Sequence, residues 1–411
     1  MTIECTNIRF LVNTRTESKL LRGDALSDLP IMENAYLRIT DGIISDYGSM
    51  ADFESDSSTS EAYDATGQTV MPAWCDSHTH IVFATSREDE FVDKIKGLSY
   101  AEIAAKGGGI LNSATKLNET SEGDLFRSAK ERLNEVIRMG TGAIEIKSGY
   151  GLSVEGELKM LRVIKKLKEI SPIPVKATFL GAHSYPVEYK ENHQAYIDLI
   201  IKQMLPAIAK EELADYIDAF CETGFFSPEE TELICRAGME YGLKAKIHAN
   251  QLNLSGGVQT GVKLGALSVD HLETMDDDAI RILAESDTIG TLLPTAAYFL
   301  RMPFQPARKI IDAGCAVALA SDYNPGSSPS GNMNQVVSMS CIQMRMLPEE
   351  AINAATINGA FAMDLQDELG SITIGKKANL IFTKPIPSIA YLPYAFGANH
   401  IDRVMINGEW F

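Results

Sequence analysis

Two histidines one residue apart, His78 and His80, close the stretch Cys75-Asp76-Ser77-His78-Thr79-His80, which follows the apolar run Val70-Met71-Pro72-Ala73-Trp74. Side chains alternate across a strand, so as the last pair on a buried strand both imidazoles point one way and Thr79 the other. Imidazole nitrogens meeting at one point suit a borderline-soft metal ion, bound at roughly 2.0–2.1 Å. The pair alone does not make a metal site, but other histidines repeat its placement. His183, His248 and His271 each end an apolar run of strand length, and only His193 and His400 do not. Singly, each would read as a hydrogen-bonded core histidine, and Asp322, just past the last apolar run, as a helix N-cap. Five histidines so placed argue for chemistry. The expected ligands are His78, His80, His248 and Asp322 around one metal ion, with water in the open position. Imidazole mixed with carboxylate suits zinc or iron and does not separate them. A bound dication brings the pKa of its water from 15.7 towards about 7, so hydroxide becomes available at neutral pH. Asp322 is expected both to touch the metal and to take that proton. His271, outside the ligand set, is expected to move protons or polarise a substrate carbonyl.

Other residues leave two readings each. Arg87 can clamp a substrate carboxylate with two hydrogen bonds or simply be solvated in its loop. Tyr150, within Lys147-Ser148-Gly149-Tyr150-Gly151, can donate its hydroxyl or pack on a neighbour. The run Gly107-Gly108-Gly109 is either a mobile lid or an ordinary turn; with no strand at the right spacing before it, it is not a phosphate loop.

For such residues to converge, the chain must bring distant strand ends to one face. Eight apolar runs do so if they are strands: Val70 to Asp76, Ala143 to Lys147, Val175 to Leu180, Tyr216 to Cys221, Lys244 to Ile247, Leu267 to Asp270, Thr288 to Leu293 and Ala316 to Ala320. Between them Glu155 to Ile170, Glu191 to Ile208, Glu229 to Tyr241 and Asp276 to Glu285 carry apolar residues at helical spacing. Alternating strands and helices over about 300 residues predict an α/β fold, a (β/α)8 barrel whose strand ends share the catalytic face. A doubly wound sheet is the alternative, since counting strands does not prove closure. Residues 1–69 read as short strands and turns, with a hairpin signal at Asp41-Gly42. The last segment, 370–411, has the same character. The two ends are expected to pair into one small β-sandwich-like domain beside a barrel spanning 70–369.

With 411 residues, 45% of them hydrophobic, the chain can bury a large core. A net charge of -18 and the lack of any basic run exclude a nucleic-acid or anionic-membrane surface. Six scattered cysteines without Cys-x-x-Cys spacing are expected to be reduced. No leader pattern and no long apolar span is present, so a cytoplasmic location is expected, with a small molecule as partner. A homodimer is left open.

The motifs resemble the amidohydrolase superfamily through Asp76-Ser77-His78-Thr79-His80, His248, His271 and Asp322. More sharply, and over nearly the whole chain, they resemble its imidazolonepropionase family. That likeness rests on Gly107-Gly108-Gly109-Ile110, Glu145 to Leu152, Leu180-Gly181-Ala182-His183, Asp270-His271-Leu272-Glu273 and Asp322-Tyr323-Asn324-Pro325-Gly326-Ser327-Ser328-Pro329. The resemblance implies hydrolysis of the cyclic amide of 4-imidazolone-5-propanoate to N-formimino-L-glutamate in histidine degradation. It implies the same four metal ligands, with Arg87, Tyr150 and His183 binding substrate and Asn324, Gly326 and Ser327 holding the product end. One position departs. Where some members of the family carry glutamate, three residues past His248, this chain has Gln251. An amide hydrogen-bonds but takes up no proton at neutral pH, so Gln251 is expected to orient substrate or water while His271 or Asp322 moves protons. The same substitution counts against a heterocycle deaminase, and the filled constellation counts against a silent barrel that only binds a metabolite or stores metal.

Overall fold

The computed structural model describes residues 1–411 apart from 58, 99–101, 103–105 and 107. Eight parallel strands lie side by side in chain order: β1 (Trp74–Thr79), β2 (Thr141–Lys147), β3 (Val175–Ala182), β4 (Tyr216–Cys221), β5 (Lys244–Ala249), β6 (Ser268–His271), β7 (Ile289–Leu292) and β8 (Val317–Leu319). The ring is drawn together by residues just past β8. The Asp322 N–H donates to the His78 carbonyl at 2.9 Å, and the His80 N–H donates to the Tyr323 carbonyl at 2.9 Å. Asp76 adds a side-chain tie, accepting from the Ser321 N–H at 2.9 Å and from its hydroxyl at 2.6 Å. First and last strands therefore meet, which a doubly wound sheet cannot arrange. The chain is a (β/α)8 barrel.

Two of the barrel's longer helices begin where the sequence supplies a cap. Ser153 accepts the Gly156 N–H ahead of Val154–Ile170, and Ser227 with Glu230 forms a reciprocal capping box ahead of Pro228–Met239. The first of these buries Leu158, Leu161, Ile164 and Leu167, the apolar stripe legible in its spacing. The helix expected over Glu191 to Ile208 is instead His193–Leu199, a π segment Ile200–Met204, and Leu205–Glu211. Pro206 lacks the N–H that would bond four residues back to Lys202, and the wider turn absorbs that loss.

The chain ends build one mixed sheet. Thr2–Val12 is its spine, antiparallel to Ile31–Thr40 and parallel to Glu61–Asp64 and Thr69–Pro72. Leu380–Thr383 joins Thr69–Pro72, and Ile401–Ile406 with Glu409–Trp410 extends the sheet outward. Asp41 and Gly42 both take positive φ, 50° and 82°, as a two-residue hairpin turn requires. The sheet curls until its far strand Ile43–Ser49 meets the C-terminal segment, the Ile44 N–H donating to the Lys376 carbonyl at 2.8 Å. Ile3, Ile8, Leu11, Leu37, Phe382 and Met405 fill the space enclosed.

Two boundaries differ from expectation. The run Val70 to Asp76 is divided at Ala73: Val70 and Met71 pair with Phe382 and Ile381 in the mixed sheet, and only Trp74 onward enters the barrel. The division expected between residues 69 and 70 therefore falls at Ala73. An uninterrupted apolar run looks the same whichever buried sheet receives it, so periodicity could not reveal the crossing. Similarly, β1 runs through His78 to Thr79, leaving His80 just beyond the strand instead of making both histidines its last pair.

Candidate metal centre and active site

The barrel brings His78, His80, His248, His271 and Asp322 to one buried point. The His78 and His248 rings lie 4.5 Å apart between centroids, His78 and His80 5.3 Å, and His248 and His271 5.2 Å. Asp322 Oδ1 is 3.6 Å from Nε2 of both His78 and His80. Among the described residues two groups offer ligand atoms within 4.8 Å of one another: His78, His80 and Asp322, and His78, His248 and His271. His78 belongs to both, so the two groups share one centre.

Carboxylates set which nitrogen each ring presents. His78 Nδ1 bonds Asp270 Oδ2 at 2.7 Å, and His248 Nδ1 bonds Asp218 Oδ2 at 2.9 Å. An ionised carboxylate only accepts, so Nδ1 carries the proton and the Nε2 lone pair faces the centre. Burial, aided by Lys147 and the neighbouring rings, holds His78, His80 and His248 well below the ordinary imidazole range. Neutral imidazoles are the form that ligates metal. The buried His78 Nε2 has no hydrogen-bond partner. Leaving such an atom unmet costs about 1–3 kcal/mol, which a cation would relieve, so the residues fit a metal.

His271 sits at φ 87° and Asp322 at φ 53°, left-handed values that side chains larger than glycine rarely adopt. This backbone turns both side chains inward at the strand ends, where strained residues are held by their surroundings. His271 Nδ1 is 3.4 Å from Glu273 Oε1; burial lowers its affinity for a proton, yet the carboxylates of Glu273, Asp322 and Asp270 together outweigh it and the imidazole is shifted up. Burial pushes Asp322 up to about 6, although His271 pulls the other way.

A cavity of about 710 Å³ opens above this point, lined by His80, Arg87, Tyr150, His183, His248, Gln251, His271, Asp322, Asn324, Gly326 and Ser327. Of the residues expected from sequence only His78 is missing from its wall, being at the floor. Asp322, far from capping a helix, is wrapped by its own loop: Asn324 donates from Nδ2 to the Asp322 carbonyl at 2.7 Å and Ser327 from its hydroxyl to Asp322 Oδ2 at 3.3 Å. Tyr150 is held from below by the buried Glu157, which accepts the N–H groups of Gly149, Gly151 and Leu152 at 2.7–3.0 Å. Gly149, at φ 112°, has no room for a side chain, since a Cβ would lie 2.9 Å from His183 Nδ1. His183 donates from that nitrogen to the Gly149 carbonyl at 3.0 Å, leaving Nε2 as an acceptor; burial lowers its pKa to about 4. Arg87 pairs with Glu90 at 2.5 Å, and its buried Nε has no partner. Gly107, first residue of the expected lid or turn, lies outside the described residues, while Gly109 precedes the helix Ile110–Glu119.

Sequence reading missed the residues around these side chains. Phe91, Phe220, Phe225 and Phe299 give the cavity apolar walls, and Lys94 and Arg301 add cations to Arg87. Phe220 lies in a strand, Phe91 and Phe299 in two different helices and Phe225 in a turn, so no shared spacing along the chain links them. Asp218 and Asp270 did leave a signal: each is a carboxylate inside a run otherwise fit for a buried strand, where a charge needs a partner.

The sequence pattern of the amidohydrolase family matches residues 69–411. An imidazolonepropionase of Flavobacterium johnsoniae is 59% identical over 404 residues, 98% of each chain. Those of Christiangramia forsetii and of a Geobacillus species are 55% identical over 410 residues, all of each chain, and 42% identical over 390 residues, 94% of this chain and 92% of the other. Among solved structures, a triazine hydrolase variant superposes with a TM-score of 0.76 at 14% identity, covering 100% of this chain and 94% of the other. A 5-methylcytosine deaminase from Klebsiella pneumoniae, liganded with phosphonocytosine, does so at 0.75 and 16%, covering 99% and 97%. At such identity these two structures speak to fold alone.

Proposed function

The chain belongs to the amidohydrolases and, within them, to the imidazolonepropionase family; from this we propose how its residues open the ring of 4-imidazolone-5-propanoate. It is a hydrolase of a non-peptide carbon–nitrogen bond, converting that cyclic amide to N-formimino-L-glutamate in histidine degradation. The residue roles below are supported above all by one observation: imidazoles and a carboxylate from β1, β5, β6 and the end of β8 converge beneath a cavity lined by Arg87, Tyr150 and His183.

His78, His80, His248 and Asp322 would hold one zinc or iron ion, and His271 stays outside that set. When bound, the ion polarises the ring carbonyl and brings the pKa of a water towards about 7. Asp322 takes the proton of the attacking water on its carboxylate, and His271 supports that transfer from the same side. As the bond from carbonyl carbon to ring nitrogen breaks, the carbon gains the hydroxyl and the nitrogen receives the proton through Asp322 or His271. Gln251 orients substrate or water by hydrogen bonds alone. Arg87 receives the propanoate, Tyr150 donates its hydroxyl, which burial keeps protonated, and the neutral His183 accepts from a ring N–H. Asn324, Gly326 and Ser327 hold the product end. Six unpaired cysteines suit work in a reducing cytoplasm.

The test is metal analysis combined with an absorbance assay on freshly made imidazolone propanoate. One ion per chain with ring opening is expected. Metal without turnover would favour a silent barrel, and strong ammonia release from nucleobases would favour a deaminase.

A further inference from the structure

Beneath the candidate ligands the barrel interior is charged, where such interiors are usually filled by branched apolar side chains. Glu145, Lys147, Asp218, Lys246 and Asp270 are all buried there. Lys147 stands at their crossing point. Its Nζ lies 2.6 Å from Glu145 Oε1, 2.8 Å from Asp218 Oδ2 and 3.6 Å from Asp270 Oδ2. The last two oxygens are the ones that His248 Nδ1 and His78 Nδ1 bond, at 2.9 Å and 2.7 Å. A single ammonium therefore stands behind both imidazoles, one carboxylate away from each.

We propose that Lys147 is a positioning residue for the metal, fixing the two carboxylates that aim His78 and His248 at one point; this rests on the reading of those histidines as ligands. A carboxylate holding a ring by one oxygen can still swing about its own bonds. Here the second oxygens are occupied as well: Asp218 Oδ1 accepts the His248 N–H at 3.1 Å, and Asp270 Oδ1 accepts the Ser268 hydroxyl at 2.5 Å. Lys147 completes both clamps from the opposite side. Glu145, which holds Lys147 in turn, is anchored by the Thr178 hydroxyl and by Lys246. Bound metal depends on such outer partners by about 10–100-fold in affinity.

A lysine present only to neutralise buried carboxylates would affect stability and leave the metal affinity of the folded protein alone. The deciding measurement is zinc affinity of the metal-stripped full chain, by competition with a chromogenic chelator, alongside circular dichroism. Lys147→Met should fold yet bind zinc about 10–100-fold more weakly. Wild-type affinity in that variant, with zinc binding lost in His248→Ala, would overturn the role of Lys147 alone. Zinc retained by His248→Ala would remove the ligand reading and this proposal with it. If Lys147→Met does not fold, Asp218→Asn, Asp270→Asn and their combination decide. Coupling through one ammonium predicts a combined loss smaller than the product of the single losses, and a simple product refutes it.

Discussion

Two buried interiors of this molecule were built by opposite rules. Inside the curled mixed sheet the enclosed space is filled by Ile3, Ile8, Leu11, Leu37, Phe382 and Met405, an apolar cluster. Inside the barrel, inward positions of β2, β4, β5 and β6 include Glu145, Lys147, Asp218, Lys246 and Asp270, linked to one another and to the histidines above. Burying a charge is expensive unless it is paired, so five such residues in one core carry a penalty that hydrophobic residues of similar volume would avoid. The mixed sheet is built for stability. The barrel interior gives up stability to hold imidazoles in place.

Removing the metal should break this contrast most completely. Stripping with a chelator is expected to take ring opening to background, with recovery on adding zinc or iron, while the mixed sheet keeps its circular dichroism; activity surviving a verified metal-free state would end the comparison. Next comes His271→Ala, which should lower kcat by about 10²–10⁴ while metal content stays near one per chain. Loss of metal in that variant would move His271 into the ligand set, a role that its grouping with His78 and His248 makes worth testing. In the other interior, Phe382→Ala should destabilise the chain by about 3–5 kcal/mol in denaturant titration yet leave kcat of the folded protein unchanged. A matching drop in kcat would show that the two interiors are coupled. Arg87→Ala should raise KM by about 10–100-fold with kcat little altered, because a charged hydrogen bond made in ground and transition states alike is uniform binding. The smallest effect is expected from Gly326→Ala, whose Cβ would lie 2.3 Å from Arg87 Nη1. The flexible guanidinium can shift aside, so KM should rise by about 2–5-fold, under 1 kcal/mol.

The mixed sheet was legible in its turn chemistry: Asp41-Gly42 announced the hairpin between Ile31–Thr40 and Ile43–Ser49. The barrel was legible in outline, since strands and helices alternate with clear periods, and the histidines stood out by falling at strand ends. What escaped was whatever depends on two or more segments at once. Val70 and Met71 could have joined either sheet, and only pairing with Ile381 and Phe382 decides. Pro206 widened a helix that spacing alone drew as regular. Asp218 and Asp270 read as oddities within buried strands until β4 and β6 placed them against His248 and His78.

Residue identity by itself determined the kinds of chemistry at hand: imidazoles and a carboxylate able to hold a cation, an arginine suited to an anion, and an amide where a proton carrier could have stood. Tertiary structure decided everything that requires a distance. The approach of Asp322 to His78 across the closing seam and the ammonium of Lys147 between two carboxylates each depend on strands far apart in the chain. Local preferences act over a few residues, whereas these contacts exist only once the barrel has closed.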